Sequence, residues 1–226
     1  MRDARATFRR ECVRCVMPLP HCGWGRIVAF ATLLAAAPLG QSARAADDAS
    51  AFMVQLGQQA IATMTTNALS SGDRMRDFAA IVDRDFDVPS IAKFMLGRYW
   101  QTATAGERDD FTKVFHDYMI RVYSDHFSQY RSDSFHVLDQ RAESDGVTIV
   151  RTDITLVATD QAMTIEWRVV SKPDGFKVTD LSVGGASLAV AQQEEFASAI
   201  RHDGGQVSIL VKQVRSKLDR LEMAGP

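Results

Sequence analysis

The spacing of apolar residues divides the chain into a helical first half and a strand-rich second half that ends in helices. Residues 73–84 place Met75, Phe78, Ala79 and Val82 on one face at helical spacing. Residues 48–70 also predict a helix, although Phe52, Leu56, Ile61 and Met64 form no clean stripe. Asp87-Val88-Pro89 reads as a cap followed by proline in a first turn. The helix it opens runs through Leu96, with Ile91, Phe94 and Met95 inward, and Gly97 closes it. Thr104-Ala105-Gly106-Glu107 has the capping-box spacing and is followed by Asp109 and Asp110 in an acidic first turn. It starts the longest predicted helix, to about Tyr130, whose apolar face is Phe111, Val114, Phe115, Tyr118 and Val122.

From Phe135 the period changes to two, predicting strands over 135–143, 147–158, 161–171 and 176–183. Ser144-Asp145-Gly146, Thr159-Asp160 and Pro173-Asp174-Gly175 join them, and connections this tight imply an antiparallel meander. Val150, Ile154 and Leu156 share one face of the second strand. On the third, Met163, Ile165, Trp167 and Val169 lie opposite Thr164, Glu166 and Arg168, so one sheet face is apolar and the other wet. After Gly184-Gly185 come two helices, about 190–202 and 206–222, split by Gly204-Gly205. The last carries the stripe Val207, Leu210, Val211, Val214, Leu218 and Leu221. The expected fold class is therefore α+β: a four-stranded antiparallel sheet with helices packed over one face. No repeat, low-complexity tract or interdomain linker interrupts it.

Ahead of this domain, Ile27 to Ala37 is an apolar run of eleven residues, too short to span about 30 Å of hydrocarbon. Cationic residues precede it and the small pair Ala43 and Ala45 follows, the grammar of a signal peptide cut after Ala45. The expected organisation is a leader over 1–45, with Met17 as an alternative start, and a single domain over 46–226. Cys12, Cys15 and Cys22 all lie upstream of the cut, which removes the Cys12-x-x-Cys15 spacing as a metal or redox site. The leader holds seven Arg and two acids. Of 26 basic and 28 acidic residues, 19 and 26 therefore remain beyond it, a net of -7. An acidic body disfavours nucleic acid and simple adsorption to an anionic membrane.

Catalytic tools are scarce. The chain has no P-loop, no His-Glu-x-x-His and no Gly-x-Ser-x-Gly. His116 and His126 are ten residues apart on the long helix, which is not metal-site spacing, and their neighbours Asp117 and Asp125 are expected to point elsewhere. Asp83-x-Asp85-x-Asp87 suggests calcium, but Val88 stands where a calcium loop needs Gly and Phe94 where it needs Glu. No metal or cofactor is expected. Aromatic bulk gathers instead on surfaces that should meet: the long helix, the Phe94 to Trp100 stretch, and the sheet face with Ile165 and Trp167. Periodicity alone does not separate a filled core from a ligand cavity. Three functional classes stay open on these residues: a binding cavity, a cone-fold isomerase or hydrolase using His116 or His126 with an acid, and an interaction module with a filled core.

Two stretches carry a family resemblance. Phe86 to Trp100, containing Leu96-Gly97-Arg98-Tyr99-Trp100, and Val178 to Leu188, containing Asp180 and Gly184-Gly185-Ala186-Ser187-Leu188, are similar to the MlaC/toluene-tolerance family of periplasmic lipid-binding proteins. The subgroup most resembled is the hopanoid-associated branch, HpnM. Gln193 departs from the pattern, where the family commonly has Arg. The resemblance implies a non-enzymatic carrier, a monomer, moving phospholipid or hopanoid to or from an inner-membrane ABC transporter, with an outer-membrane lipoprotein complex as a further partner. It also implies an apolar lipid cavity enclosed between helices and sheet. Phe94, Trp100, Phe111, Phe115, Tyr118, Val122, Ile154, Leu156, Met163, Ile165, Trp167 and Val169 are its expected lining.

Overall fold

The computed structural model describes residues 41–66, 68–127, 134–143, 146–155, 157, 160–202 and 204–223; for 41–48 and 125–127 it describes the backbone alone. The elements run α1 (Gln41–Thr65), α2 (Ser71–Asp85), α3 (Val88–Leu96), α4 (Tyr99–Thr102), α5 (Ala105–Phe127), β1 (His136–Ala142), β2 (Val147–Thr155), β3 (Ala162–Lys172), β4 (Gly175–Val183), β5 (Ala186–Ser187), α6 (Leu188–His202) and α7 (Val207–Met223). The helix starts follow from local chemistry. The Ser70 hydroxyl accepts from the Asp73 amide at 3.1 Å, and the Asp87 carboxylate from the Ser90 amide at 3.2 Å. Thr104 and Glu107 satisfy each other's amides at 3.2 and 3.0 Å, the capping box that the spacing predicts. α3 ends at Gly97, whose φ of 51° is free of Cβ strain only for glycine. α1 begins earlier than expected, and its helical backbone crosses the bond between Ala45 and Ala46.

The sheet is antiparallel with strands in sequence order, and it has five strands rather than the expected four. Gly184 and Gly185, with φ of 59° and 80°, turn the chain so that Ala186 and Ser187 pair back onto Val183 and Ser182. A strand of two residues is too short to show a period. Ile165, Trp167 and Val169 are buried while Thr164 and Arg168 are exposed, as the alternation requires. In β4 the register slips where Arg168 faces Asp180 and Val169 faces Val178. Thr179 is the extra residue, so Val178 and Leu181, three apart, both reach the apolar side.

The helices gather on that side. α1 lies on β1 and β2; α2, α3 and α6 meet β4; α5 packs behind α1, α2 and α3; and α7 packs on α5. The predicted stripe of α7 is the buried one, with Val207, Leu210, Val211, Val214 and Leu218 all inside. The Arg121 guanidinium on α5 donates to the Leu221 carbonyl at 2.9 Å and closes the α5–α7 contact at its far end.

Candidate functional site

Between the apolar sheet face and α2, α3, α5 and α6 lies a cavity of about 590 Å³, a volume typical of small-molecule sites. The sheet contributes Ile154, then Met163, Ile165 and Trp167, then Val178, Leu181 and Val183. Phe78 and Val82 come from α2, Phe86 from its C-cap, and Ile91 and Met95 from α3. On α5, Phe115, Tyr118, Met119 and Val122 fall at i, i+3, i+4 and i+7, so one helical face serves the wall, with Tyr123 beside it. α6 adds Leu188, Ala189 and Ala191. Twenty of the 24 wall residues are apolar or aromatic. The other four, Thr179, Asp180, Gln192 and Glu195, sit on β4 and α6. Glu195 and Leu188 are exposed there, so the cavity reaches solvent at that end.

Local hydrogen bonding explains how the polar end is built. The Asp180 carboxylate accepts from the Ser187 hydroxyl at 2.6 Å and from the amides of Leu181 and Ala189 at 2.7 and 3.1 Å. The Ser187 hydroxyl accepts in turn from the Val190 amide at 3.0 Å. Aspartate, the glycine turn and serine therefore pin the start of α6 onto β4 and put Leu188 on the cavity wall. At the α3 end, the Gln193 amide donates to the Phe94 carbonyl, and a Cβ at Gly97 would stand 3.0 Å from that amide nitrogen. Glutamine at 193 thus ties α6 to α3 by a neutral hydrogen bond. Asp87 anchors α3 to the sheet through Lys172 at 2.9 Å. Burial alone would raise its pKa, but the Ser90 and Lys172 hydrogen bonds and the Lys172 charge hold it below the ordinary value. Deeper in, the Trp167 indole N–H donates to the Thr152 hydroxyl at 2.8 Å, both residues being buried. Among the described residues no Lys, Arg or His stands on the wall.

Of the twelve expected lining residues, the fold brings Phe115, Tyr118, Val122, Ile154, Met163, Ile165 and Trp167 together on this wall. Four others stand elsewhere, and Leu156 lies outside the described residues. Phe111 is fully buried behind the wall, stacked on Phe115 at 5.7 Å and edge-on to Phe196 at 5.8 Å. Val169 is fully buried off this wall, facing Val178 in register. Phe94, expected inward, is 44% exposed, because Ile91 and Met95, four apart, take the inner face of α3. Trp100 sits at the α4 corner, half-buried, with the Arg108 guanidinium 5.5 Å from its ring centre. The wall residues not foreseen include Phe78 and Val82, whose helical stripe was visible but not connected to the sheet, and Leu181 and Val183, which the bulge brings round.

The other candidate chemistry is dispersed. His116 stands between Asp83, 2.7 Å from Nε2, and Asp117, 3.0 Å from Nδ1. Asp117 was expected to point away, yet at the half-exposed edge of α5 its carboxylate turns back to its neighbour's ring. This arrangement joins α2 to α5 and is not on the cavity wall. The side chains of Asp125 and His126, and the three cysteines, lie outside the described residues. Asp85 pairs with Arg84 at 2.6 Å, so Asp83, Asp85 and Asp87 are engaged by three different partners. No helix among the described residues is long and apolar enough to cross a membrane.

The architecture has a counterpart of known structure. A phospholipid-binding protein from Ralstonia solanacearum, solved in complex with a phospholipid, superposes with a TM-score of 0.67 at 23% sequence identity, over 77% of this chain and 99% of that one. That likeness establishes the fold. Residues 55–216, from the middle of α1 to the middle of α7, match the family described as MlaC protein. With the greater part of its length matched, from the helices that line the cavity through every strand of the sheet, the chain belongs to the MlaC family.

Proposed function

We propose that this protein is a non-enzymatic periplasmic carrier that holds the acyl chains of a phospholipid in the cavity and passes lipid to or from an inner-membrane ABC transporter. The observation that carries the reading is the composition of the wall: twenty apolar or aromatic residues around about 590 Å³, with no cationic side chain among the described residues to recognise a charged substrate. The Ralstonia solanacearum protein of the same fold, described as phospholipid-binding, supports it. Chains enter between sheet and helices, and the head group stays at the solvent-facing end beside Gln192 and Glu195. A hopanoid, the lipid with which the branch resembled is associated, is a second apolar body such a wall suits. Residues 1–45 act as the export leader in this reading, and an outer-membrane lipoprotein complex is the opposite docking partner.

Energetics limit how such a carrier works. Two acyl chains hold about 30 methylenes, and at ~0.8 kcal/mol each their transfer to water costs about 24 kcal/mol. Free release into the periplasm is therefore too slow to serve transport, and exchange takes place at a docked membrane complex. Bilayer and cavity are both apolar, so the net transfer energy is small and direction comes from the partner or its ATP.

Ile165→Glu tests the reading. Ile165 is 6% exposed and stands in the cavity wall. If it faces lipid, the carboxylate hydrates in a vacated cavity, and the variant should keep its circular dichroism spectrum and cooperative melt while losing co-purified lipid. If it sits in a filled core, the same change buries an unpaired charge costing several kcal/mol, enough to unfold a domain stable by ~5–15 kcal/mol. An unfolded variant, together with wild-type protein that carries no lipid by native mass spectrometry, would reject the carrier.

A further inference from the structure

The solvent-facing end of the cavity carries a charge that nothing in the fold consumes. Leu188, Gln192 and Glu195 stand at i, i+4 and i+7 on α6, so one helical face leads the wall from its apolar part out to solvent. The four polar wall residues differ in what their side chains already do. The Thr179 hydroxyl donates to the Arg168 carbonyl at 3.3 Å. The Asp180 carboxylate is taken by the Ser187 hydroxyl and by the Leu181 and Ala189 amides. The Gln192 amide donates to Oε2 of Glu195 at 2.9 Å. That is the one hydrogen bond the Glu195 side chain makes among the described residues: its Oε1 has no donor, and no Lys or Arg pairs with it.

An anion, by contrast, finds no partner at this end. The start of a helix is where a phosphate would ordinarily bind, through amides that the helix itself leaves open. At the start of α6 the Ser187 hydroxyl takes the Val190 amide at 3.0 Å and the Asp180 carboxylate takes the Ala189 amide at 3.1 Å, so the chain's own oxygens occupy that position. With no Lys, Arg or His on the wall among the described residues, nothing there offsets a negative charge.

We propose that Glu195 is a specificity-determining residue of the lipid site, and that it selects lipids whose head group ends in an ammonium over lipids whose head group is anionic overall. This rests on the carrier reading and names the lipid class within it. The phosphate is common to both classes and stays in water beyond the rim; what differs is the group it carries. An ammonium about 4 Å from the Glu195 carboxylate is favoured about fivefold even at the dielectric constant of water.

The experiment offers the protein vesicles of equimolar phosphatidylethanolamine and phosphatidylglycerol with identical acyl chains, re-isolates it, and reads the ratio of the two bound lipids by mass spectrometry. Each vesicle presents both lipids, so repulsion between an acidic protein and an anionic surface acts on them alike. Wild type should hold the ethanolamine lipid in excess. Glu195→Gln keeps an oxygen to accept from Gln192 and removes only the charge, and the ratio should fall about fivefold. Glu195→Lys should turn the preference toward phosphatidylglycerol. Asp77→Asn removes an equal charge from an exposed position on α2 that is not on the wall, and should keep the wild-type ratio. Wild type that holds the two lipids in the vesicle's own proportion, a ratio unchanged in both Glu195 variants, or one that moves as far in Asp77→Asn would overturn the selection and leave the carrier standing. Wild-type protein that takes up neither lipid would overturn both.

Discussion

Thr152→Val removes a single buried oxygen behind the cavity wall and asks what holds Trp167 in place. Thr152 is 0% exposed, on the helix-facing side of β2, and its hydroxyl accepts the Trp167 indole N–H at 2.8 Å. Valine keeps the shape and the β-branched preference for a strand, so little changes except the acceptor. The buried indole N–H is left without a partner, a loss of about 1–3 kcal/mol. At the middle of that range, the melting temperature of a domain this size should fall by about 4–8 °C. Urea unfolding followed by circular dichroism should show a lower midpoint at an unchanged slope, since the exposed surface is the same. A cycle with Trp167→Phe isolates the bond: the double variant should lose less than the two single losses together, with a coupling of about 1–2 kcal/mol. A loss within about 0.5 kcal/mol, the range of ordinary surface changes, or two effects that simply add, would refute the bond as an anchor.

Two further outcomes are expected. The pKa of Asp87 is lowered in the fold, so its ion pair with Lys172 contributes stability above the unfolded carboxylate pKa, about 4, and loses it as pH falls through the folded value. Asn can still cap α3, so Asp87→Asn should be less stable than wild type at pH 7 by no more than about 1 kcal/mol, and pH-dependent melting curves should show that gap closing below about pH 4. Protein recovered from the periplasm should begin at Ala46 by N-terminal sequencing; a species retaining the apolar run from Ile27 would count against export by cleavage.

What the sequence makes legible, and what it hides, follows from the range of the interactions concerned. The alternation of Ile165, Trp167 and Val169 with Thr164 and Arg168 survives into the fold because a strand's two faces are set by its own backbone. The capping box at Thr104 and the stripe of α7 are legible for the same reason. Phe94 misled because on a nine-residue helix an apolar residue at i+3 from Ile91 is compatible with the inner face until Met95 at i+4 takes it. The bulge at Thr179 has no local signature, yet it decides that Leu181 and Val183 line the cavity. The contact of His116 with Asp83 joins residues 33 apart on different helices, and no spacing rule reaches it. The cavity itself is the least legible feature: its wall uses the same Phe, Ile, Val and Met that fill a core, and only the separation of sheet from helices distinguishes the two.

That separation has an energetic consequence for the lipid-free protein. Phe115 stands at a boundary: one side faces the cavity, and the other meets Phe111 and Phe196 at 5.7 and 6.3 Å in the closed core under α6. The closed side, with α7 packed on α5, needs no ligand to bury its apolar surface. The open side does. At ~24 cal/mol per Å³ of unfilled volume, a sealed and empty space of about 590 Å³ would forgo about 14 kcal/mol, as much as the whole stability of an ordinary domain at ~5–15 kcal/mol. The cavity is therefore never both sealed and empty. It is filled by an apolar ligand, or it admits water through the polar end at Asp180, Gln192 and Glu195. This is why the opening belongs at α6, where an aspartate, a glycine turn and a serine hold the helix start on the sheet edge, rather than at the tightly packed α5–α7 side.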